Sequence, residues 1–446
     1  MTGRFDRVGP GVQRIIGNMS WLMLDRIVRM GLGLVVGVWV ARYLGPNEFG
    51  DLNFAISFVA LFGAVVPLGL EGIVIRELLH NVDDTSEILG TTFTLRTAGA
   101  LIGAVLCLVM VRLTQAHDRQ ALILVSILSL TLIFQVFDTI DLFFQSQVRS
   151  KITVWAKNSA FVIFAIVRVV LIKRGASVWT FAAANSGEIA LGAIGLIIGY
   201  EVGGGELTRW RVSSSRALTL LKQGWPVMFS GMAVMVYMRI DTVMLKAMQG
   251  DFAVGLYAAA TKISEVWYFI PVAIVSSVSP AIMKVKHDVA LFESRMRKLF
   301  SAVAITAYVI GSVVAFSSHF VIHLLYSSAY SGAAPVLAVH IWASVFVFLG
   351  VAQSPWDLSK DLMSLSLYRT LCGAVLNIVM NLYLIPKYSA MGAAIATVVS
   401  YAIASVFANA FSAKTRPVFY MQMRSLIPAK FWDLSDERGD MLHSGR

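Results

Sequence analysis

The sequence predicts an all-α integral membrane protein, with twelve transmembrane helices in two six-helix lobes related by a parallel repeat. Three observations lead there. Of the 446 residues, 57% are hydrophobic and only 14% charged, against the roughly 25% charged residues of a soluble domain. Apolar runs of about 20 residues recur, long enough to cross a hydrocarbon core about 30 Å thick, and none alternates as a barrel strand would. The third observation is an internal repeat. A shift of 204 residues lays Trp21 on Trp225 and Arg42 on Lys246, and one residue inserted in the next turn lays Gly50 on Gly255 and Ala55 on Ala260. Near the end of each half a shift of 214 aligns Lys173 with Lys387, Ala182 with Ala396 and Ser186 with Ser400. An even number of helices per half makes the two copies parallel about the membrane normal.

The spans fall at about 15–44, 50–75, 87–112, 121–147, 152–172, 178–200, 222–247, 253–280, 297–325, 333–356, 363–385 and 390–412. They group into an N-terminal lobe (1–200), a linker (201–221), a second lobe (222–412) and a tail (413–446). The first helix starts near Trp21, an interfacial aromatic, and carries Asp25, Arg26 and Arg29 within two turns. Arg26 and Arg29 lie roughly 12–16 Å into it, too deep to snorkel easily. Asp25 and Arg29 have pairing spacing, which leaves Arg26 without a local counter-ion. Pro67 should break or kink the second helix, and Asp84 with Glu87 has capping-box spacing for the third.

The fourth helix presents Gln135, Asp138, Asp141 and Gln145, and hairpin geometry sets Asp141 level with Lys157 of the fifth. Arg168 should snorkel to the outer end, and Glu188 in the sixth helix has no obvious neighbour. The Gly-rich, Arg-rich stretch 201–221 reads as a linker with a surface segment near Trp210. In the seventh-to-eighth hairpin Asp241 falls level with Lys262, and Arg239 with Glu265. Asn377 and Asn381 mark a helix-contact face. The ninth and tenth helices carry few deep ionisable groups, and the tail is expected to hold no domain. Cys107 and Cys372 read as small packed residues rather than a disulfide or a metal pair.

Orientation follows from loop charge. With both termini in the cytoplasm, 23 of the 37 Lys and Arg lie on that side and seven on the other. The net charge of +11 then meets an anionic inner leaflet rather than nucleic acid. Chemistry-bearing motifs are absent: the chain has no Walker loop, no His-Glu-x-x-His, no Cys-x-x-Cys and no serine elbow. The reading is therefore a transporter without ATPase activity, metal or cofactor. Seven deep cations (Arg26, Arg29, Arg96, Lys157, Arg168, Arg239, Lys262) face six carboxylates (Asp25, Asp138, Asp141, Glu188, Asp241, Glu265). Charge at membrane depth usually faces a cavity or a partner. Asp25, Asp138, Glu188 and Asp241 are candidate carriers of a coupling proton or cation. Arg26 is the first choice for an anionic ligand, since a guanidinium fork grips phosphate in two places.

The segments Leu44-Gly45-Pro46, Phe49-Gly50, Asn53-Phe54-Ala55 and Arg76-Glu77-Leu78 resemble the first two helices of bacterial polysaccharide flippases of the O-antigen type. Ile240-Asp241-Thr242-Val243-Met244-Leu245, with Gly255 to Lys262, is similar to the start of their second half. Those flippases belong to the multidrug/oligosaccharidyl-lipid/polysaccharide (MOP) exporter superfamily. The resemblance implies a MOP/MATE-like transporter in the bacterial inner membrane, its cavity lined by helices 1, 2, 7 and 8. Arg26, Arg29, Arg239 and Lys262 would bind an undecaprenyl-diphosphate-linked oligosaccharide crossing from the cytoplasmic to the periplasmic leaflet. Membrane lipid, a glycan polymerase and glycosyltransferases are the implied partners. Two alternatives stay open: a cation-coupled multidrug exporter, and a membrane glycan polymerase or ligase, for which the short outer loops leave little room.

Overall fold

In the computed structural model the backbone is described for residues 10–427 and the side chains from Arg29 onward. Among the described residues all regular structure is helical, and eight helical stretches are long and apolar enough to cross a membrane. The chain divides into two compact units, one ending at Arg239 and the other beginning at Ile240.

The first unit contains α1 (Pro10–Gly63), α2 (Glu71–His80), α3 (Thr85–Thr114), α4 (Arg119–Phe134), α5 (Asp138–Ser146), α6 (Ser150–Lys173), α7 (Val178–Val202) and the beginning of α8 (Ser214–Glu265). The second holds the rest of α8, then α9 (Phe269–Met283), α10 (Val289–Leu325), α11 (Ala333–His340), α12 (Ala343–Ala352), α13 (Ser354–Ser359), α14 (Met363–Ser405) and α15 (Arg416–Ser425).

Three of these helices each absorb two expected spans, because the turn between them is a single non-helical residue. These residues are Gly45 (φ 72°), Gly250 (φ 78°) and Ser389 (φ 51°). Gly250 supplies a left-handed φ without Cβ strain. That the chain folds back there is proved by Tyr257, whose hydroxyl donates to Asp241 Oδ2 at 2.8 Å. Sixteen residues of unbroken helix would hold the two about 24 Å apart. The same argument applies at Ser389, since Asn381 and Thr397 both donate to Asp241.

Pro67 acts as expected. Residues 64–69 are turns, Leu68 (φ 51°) and Gly69 (φ 68°) are left-handed, and the helix resumes at Glu71. Asp84, by contrast, does not cap α3 with its side chain; it and Glu87 bond Arg216 instead. Residues 201–221 do not hang free, because the Trp210 indole donates to the Tyr200 hydroxyl and its ring packs edge-on against Phe93.

Each unit has its own apolar core. In the first, Leu70, Val74, Ile88, Ile140 and Leu196 pack together; in the second, Phe300, Val303, Phe348, Leu349 and Val406 do. Large apolar side chains also stand outward in rows. Leu101, Ile102, Val105 and Val109 of α3 are exposed, as are Val309, Val313, Phe316 and Phe320 of α10, with Phe316 at 92%. Such a surface is stable in hydrocarbon and not in water. Cys107 is packed as expected, whereas Cys372 is exposed.

The tail adds the helix α15, held by a buried polar network. Arg369 Nη2 donates to Asp357 Oδ2 at 2.5 Å, and its Nη1 donates to Asn409 Oδ1. Gln353 Nε2 reaches Asp357 Oδ1 at 3.1 Å, and Asn409 Nδ2 donates to Gln422 Oε1 of α15 at 3.0 Å. Asp357, just past the expected tenth span, is buried within this network.

Candidate functional site

Among the described residues, the predicted site residues fall into two polar groups, one in each unit. In the first unit they come from α1, α4–α5, α6 and α7. The α4–α5 junction is a tight turn at Gln135–Phe137, which brings Gln135, Asp138 and Asp141 toward one side. Lys157 Nζ answers them from α6, 2.7 Å from Asp138 Oδ1 and 3.4 Å from Asp141 Oδ2. The hairpin pairing of Asp141 with Lys157 thus forms, and Asp138 joins it. Arg168 does not snorkel outward: its Nη2 bonds Glu188 Oε2 at 2.8 Å and Asn185 Oδ1 at 2.6 Å. Glu188 thereby has the neighbour that hairpin geometry did not supply.

Two adjoining cavities open onto these groups. One, about 420 Å³, is lined by Thr131, Gln135, Asn185 and Glu188 among apolar residues of α1 and α4, with Met235 of α8. The other, about 250 Å³, is lined by Arg29, Gln135, Asp138, Lys157 and Glu188. Their shared lining of Gln135, Glu188 and Ile189 makes them one compartment, within the roughly 300–1,000 Å³ usual for small-ligand pockets. Arg29 extends over the Phe161 ring, 5.5 Å from its centroid. Guanidinium, ammonium, amide and carboxylate groups converging on one hollow suit a ligand with both phosphate oxygens and hydroxyls.

The second site centres on Asp241, only 2% exposed. Its Oδ2 accepts from Tyr257 at 2.8 Å and Thr397 at 2.6 Å, and its Oδ1 accepts from Asn381 at 2.5 Å. Asn381 also donates to Asn377 Oδ1 at 3.0 Å. The expected pairing of Asp241 with Lys262 is replaced by these neutral donors: Tyr257 from the hairpin itself, and Asn381 and Thr397 from α14. Asn377 and Asn381 are thus part of the site rather than a bare contact face. A buried carboxylate held by hydroxyl and amide groups can trade a proton or a small cation without first breaking an ion pair.

The sequence-predicted residues therefore separate. Arg29, Asp138 and Glu188 share the compartment of the first unit. Arg239, partly buried, closes that unit's chain, and Asp241 and Lys262 belong to the second. The side chains of Asp25 and Arg26 lie outside the described residues. Sequence reasoning passed over Gln135, Asn185, Tyr257 and Thr397 as site residues. Their only mark was a polar group recurring in an apolar helix.

The sequence matches the family described as "Polysaccharide biosynthesis protein" over residues 15–286. It is 23% identical over 393 residues to the "Probable flippase AglR" of Haloferax volcanii, covering 84% of this chain and 79% of that one. Among solved structures, "Lipid II flippase MurJ, inward closed conformation" superposes with a TM-score of 0.70 at 15% identity, over 92% of this chain and 91% of MurJ. An inward-facing multidrug resistance MATE family transporter of the MOP superfamily gives 0.64 at 13% identity, over 92% and 98%. At these identities the structural likeness is one of fold.

Proposed function

Because the chain belongs to the polysaccharide biosynthesis protein family, we propose that it is a flippase moving an undecaprenyl-diphosphate-linked oligosaccharide from the cytoplasmic to the periplasmic leaflet by alternating access. It is a multi-pass membrane protein, and its relatives are transporters rather than enzymes. The observation that carries the reading is the compartment at membrane depth, where Arg29 and Lys157 stand beside Gln135, Asp138 and Glu188. A diphosphate needs cationic hosts, a sugar needs amide and carboxylate partners, and the polyprenyl tail stays in lipid. Arg26, Arg239 and Lys262 extend the cationic set in this reading. Asp241 takes up the coupling proton or cation, with Asp25, Asp138 and Glu188 as the other candidate carriers. Glycosyltransferases and a polymerase are the partners that supply and consume such a cargo.

The test is transport in vesicles loaded with a fluorescent polyprenyl-diphosphate sugar, scored by access of an external lectin. Arg26→Ala and Arg29→Ala should each stop cargo movement at unchanged membrane abundance. Arg→Lys at either position should restore part of it, since a point charge replaces a two-pronged fork. Normal movement in both alanine variants would remove the diphosphate from this compartment. Efflux of cationic dyes with no glycan movement would instead favour the multidrug reading.

Orientation has its own test. In this reading the membrane is the bacterial inner one, as the resemblance implies, and both termini are cytoplasmic, as the loop charge argues. A reporter active only in the periplasm, fused after Arg446, should be silent. Activity there would invert the topology.

A further inference from the structure

Residues 211–228 lie against the 64–70 break and against the α2–α3 segment that follows it, through contacts of two unlike kinds, all within the first unit. The first kind is polar and solvent-facing. Arg216 Nε donates to Glu87 Oε1 at 2.8 Å, its Nη2 to Asp84 Oδ2 at 2.6 Å, and its Nη1 lies 3.7 Å from Glu77 Oε2. Arg76 Nη2 donates to Gln223 Oε1 at 2.8 Å. The Ser213 backbone N–H donates to Thr91 Oγ1 at 3.0 Å, and that of Arg211 to Ser86 O at 3.2 Å. The second kind is backbone against backbone. A Cβ added at Gly224 would sit 2.5 Å from the Leu68 carbonyl oxygen, and one added at Gly69 would sit 2.4 Å from that of Gly224. Leu220 adds a buried apolar contact to the cluster around Leu70.

Behind the break stands Arg96, 2% exposed. Its one ion pair within 4 Å among the described residues is long, 3.6 Å to Glu71, with Asp138 and Asp141 attracting it from farther off, and its Nε and Nη1 have no hydrogen-bond partner there. A buried charged donor left unmet is unfavourable by more than the roughly 1–3 kcal/mol of a neutral one. The docked arrangement therefore carries strain at its centre: the left-handed Leu68 and a guanidinium with unmet donors. It is held from outside by a network of ion pairs around Arg216 whose carboxylates reach solvent.

We propose that residues 211–228 form a releasable latch. Docked, they hold the 64–70 break in the shape seen here. Released, they let the break re-form around Arg96, whose free N–H groups take up carbonyl oxygens exposed by it. The proposal rests on the transport reading for its purpose, since a latch on a broken helix serves a protein that changes shape in each cycle.

The test uses the full chain with Cys107 and Cys372 replaced by alanine, and the pair Arg76→Cys and Gln223→Cys, both at exposed positions. Spin labels on the pair should give two distances by pulsed electron resonance. Their ratio should shift between sodium and potassium buffers or on adding the polyprenyl-diphosphate sugar. In the same background Gly224→Ala should remove the shorter distance. Gly231→Ala, where an added Cβ meets nothing within 4 Å, should keep both. A short reversible thiol cross-linker should stop cargo movement, and reduction should restore it. One narrow distance under every condition, or full transport by the cross-linked protein, would overturn the latch. If the protein without cross-linker moves no cargo, the transport reading falls, and the distance measurement still decides the latch.

Discussion

Replacing Asp241 by asparagine should reduce gradient-driven cargo movement to the level seen without a gradient, because the carboxylate that takes up the coupling ion is gone. Abundance should stay near wild type, for a geometric reason. Tyr257 and Thr397 can still donate to the new amide oxygen, and only Asn381 faces the new NH₂ group. Asn381 Oδ1 and Asn377 Nδ2 both lack partners in the present arrangement. Turning both amides over lets Asn381 accept from position 241 and Asn377 donate to Asn381. The network closes again without a charge, so the fold survives and the titratable or cation-binding group is gone. Transport driven by a proton or sodium gradient, measured beside exchange without a gradient, separates coupling from passage. Wild-type gradient-driven transport in this variant would remove Asp241 from the coupling role.

The other large effect is on stability. Arg369→Ala strands Asp357, a buried carboxylate, and should lower stability by about 3–5 kcal/mol, the range for breaking one side of a buried ion pair. Asn409 and Gln353 cannot neutralise the charge left behind, and through Asn409 the loss reaches Gln422 and the seating of α15. Thermal inactivation of the detergent-solubilised protein and proteolysis near Arg416 report the two consequences. Arg369→Met combined with Asp357→Leu should recover most of the stability, because apolar groups of similar volume replace the pair without a stranded charge. If the single and double variants lost stability equally, packing volume rather than charge would be holding the tail.

What was legible in the sequence tracks how local each interaction is. Apolar length gave the helical membrane class, and Pro67 announced the broken helix. The pairing of Asp141 with Lys157 could be read because a single hairpin joins them. Asp241 was legible as a deep charge, but its partners were not, since Asn381 and Thr397 lie 140 and 156 residues away. The hairpin offered Lys262 as a local solution, and the chain used Tyr257 from the hairpin together with two distant donors. Arg168 and Glu188 were separated for a related reason. Each was placed by its depth in its own helix, and depth says nothing about which way neighbouring helices turn their faces. The stretch 201–221 looked like a linker because glycine and arginine favour solvent. It docks because three carboxylates and a glycine-lined surface receive it, and one segment's composition does not reveal that.

The joining of Asp241 to Thr397 also sets a schedule for making the protein. At about 5–20 residues per second, the ribosome needs roughly 8–30 s to extend from the carboxylate to the last of its hydroxyl donors. During that interval Tyr257, sixteen residues on, is the first of its partners to be synthesised. The nascent helix must meanwhile wait beside the insertion machinery with a charge that lipid would reject. Final partition of this segment into the bilayer is therefore tied to the arrival of α14. A chain truncated before Asn381 should be degraded as an insertion intermediate, although it already carries every element of the first unit.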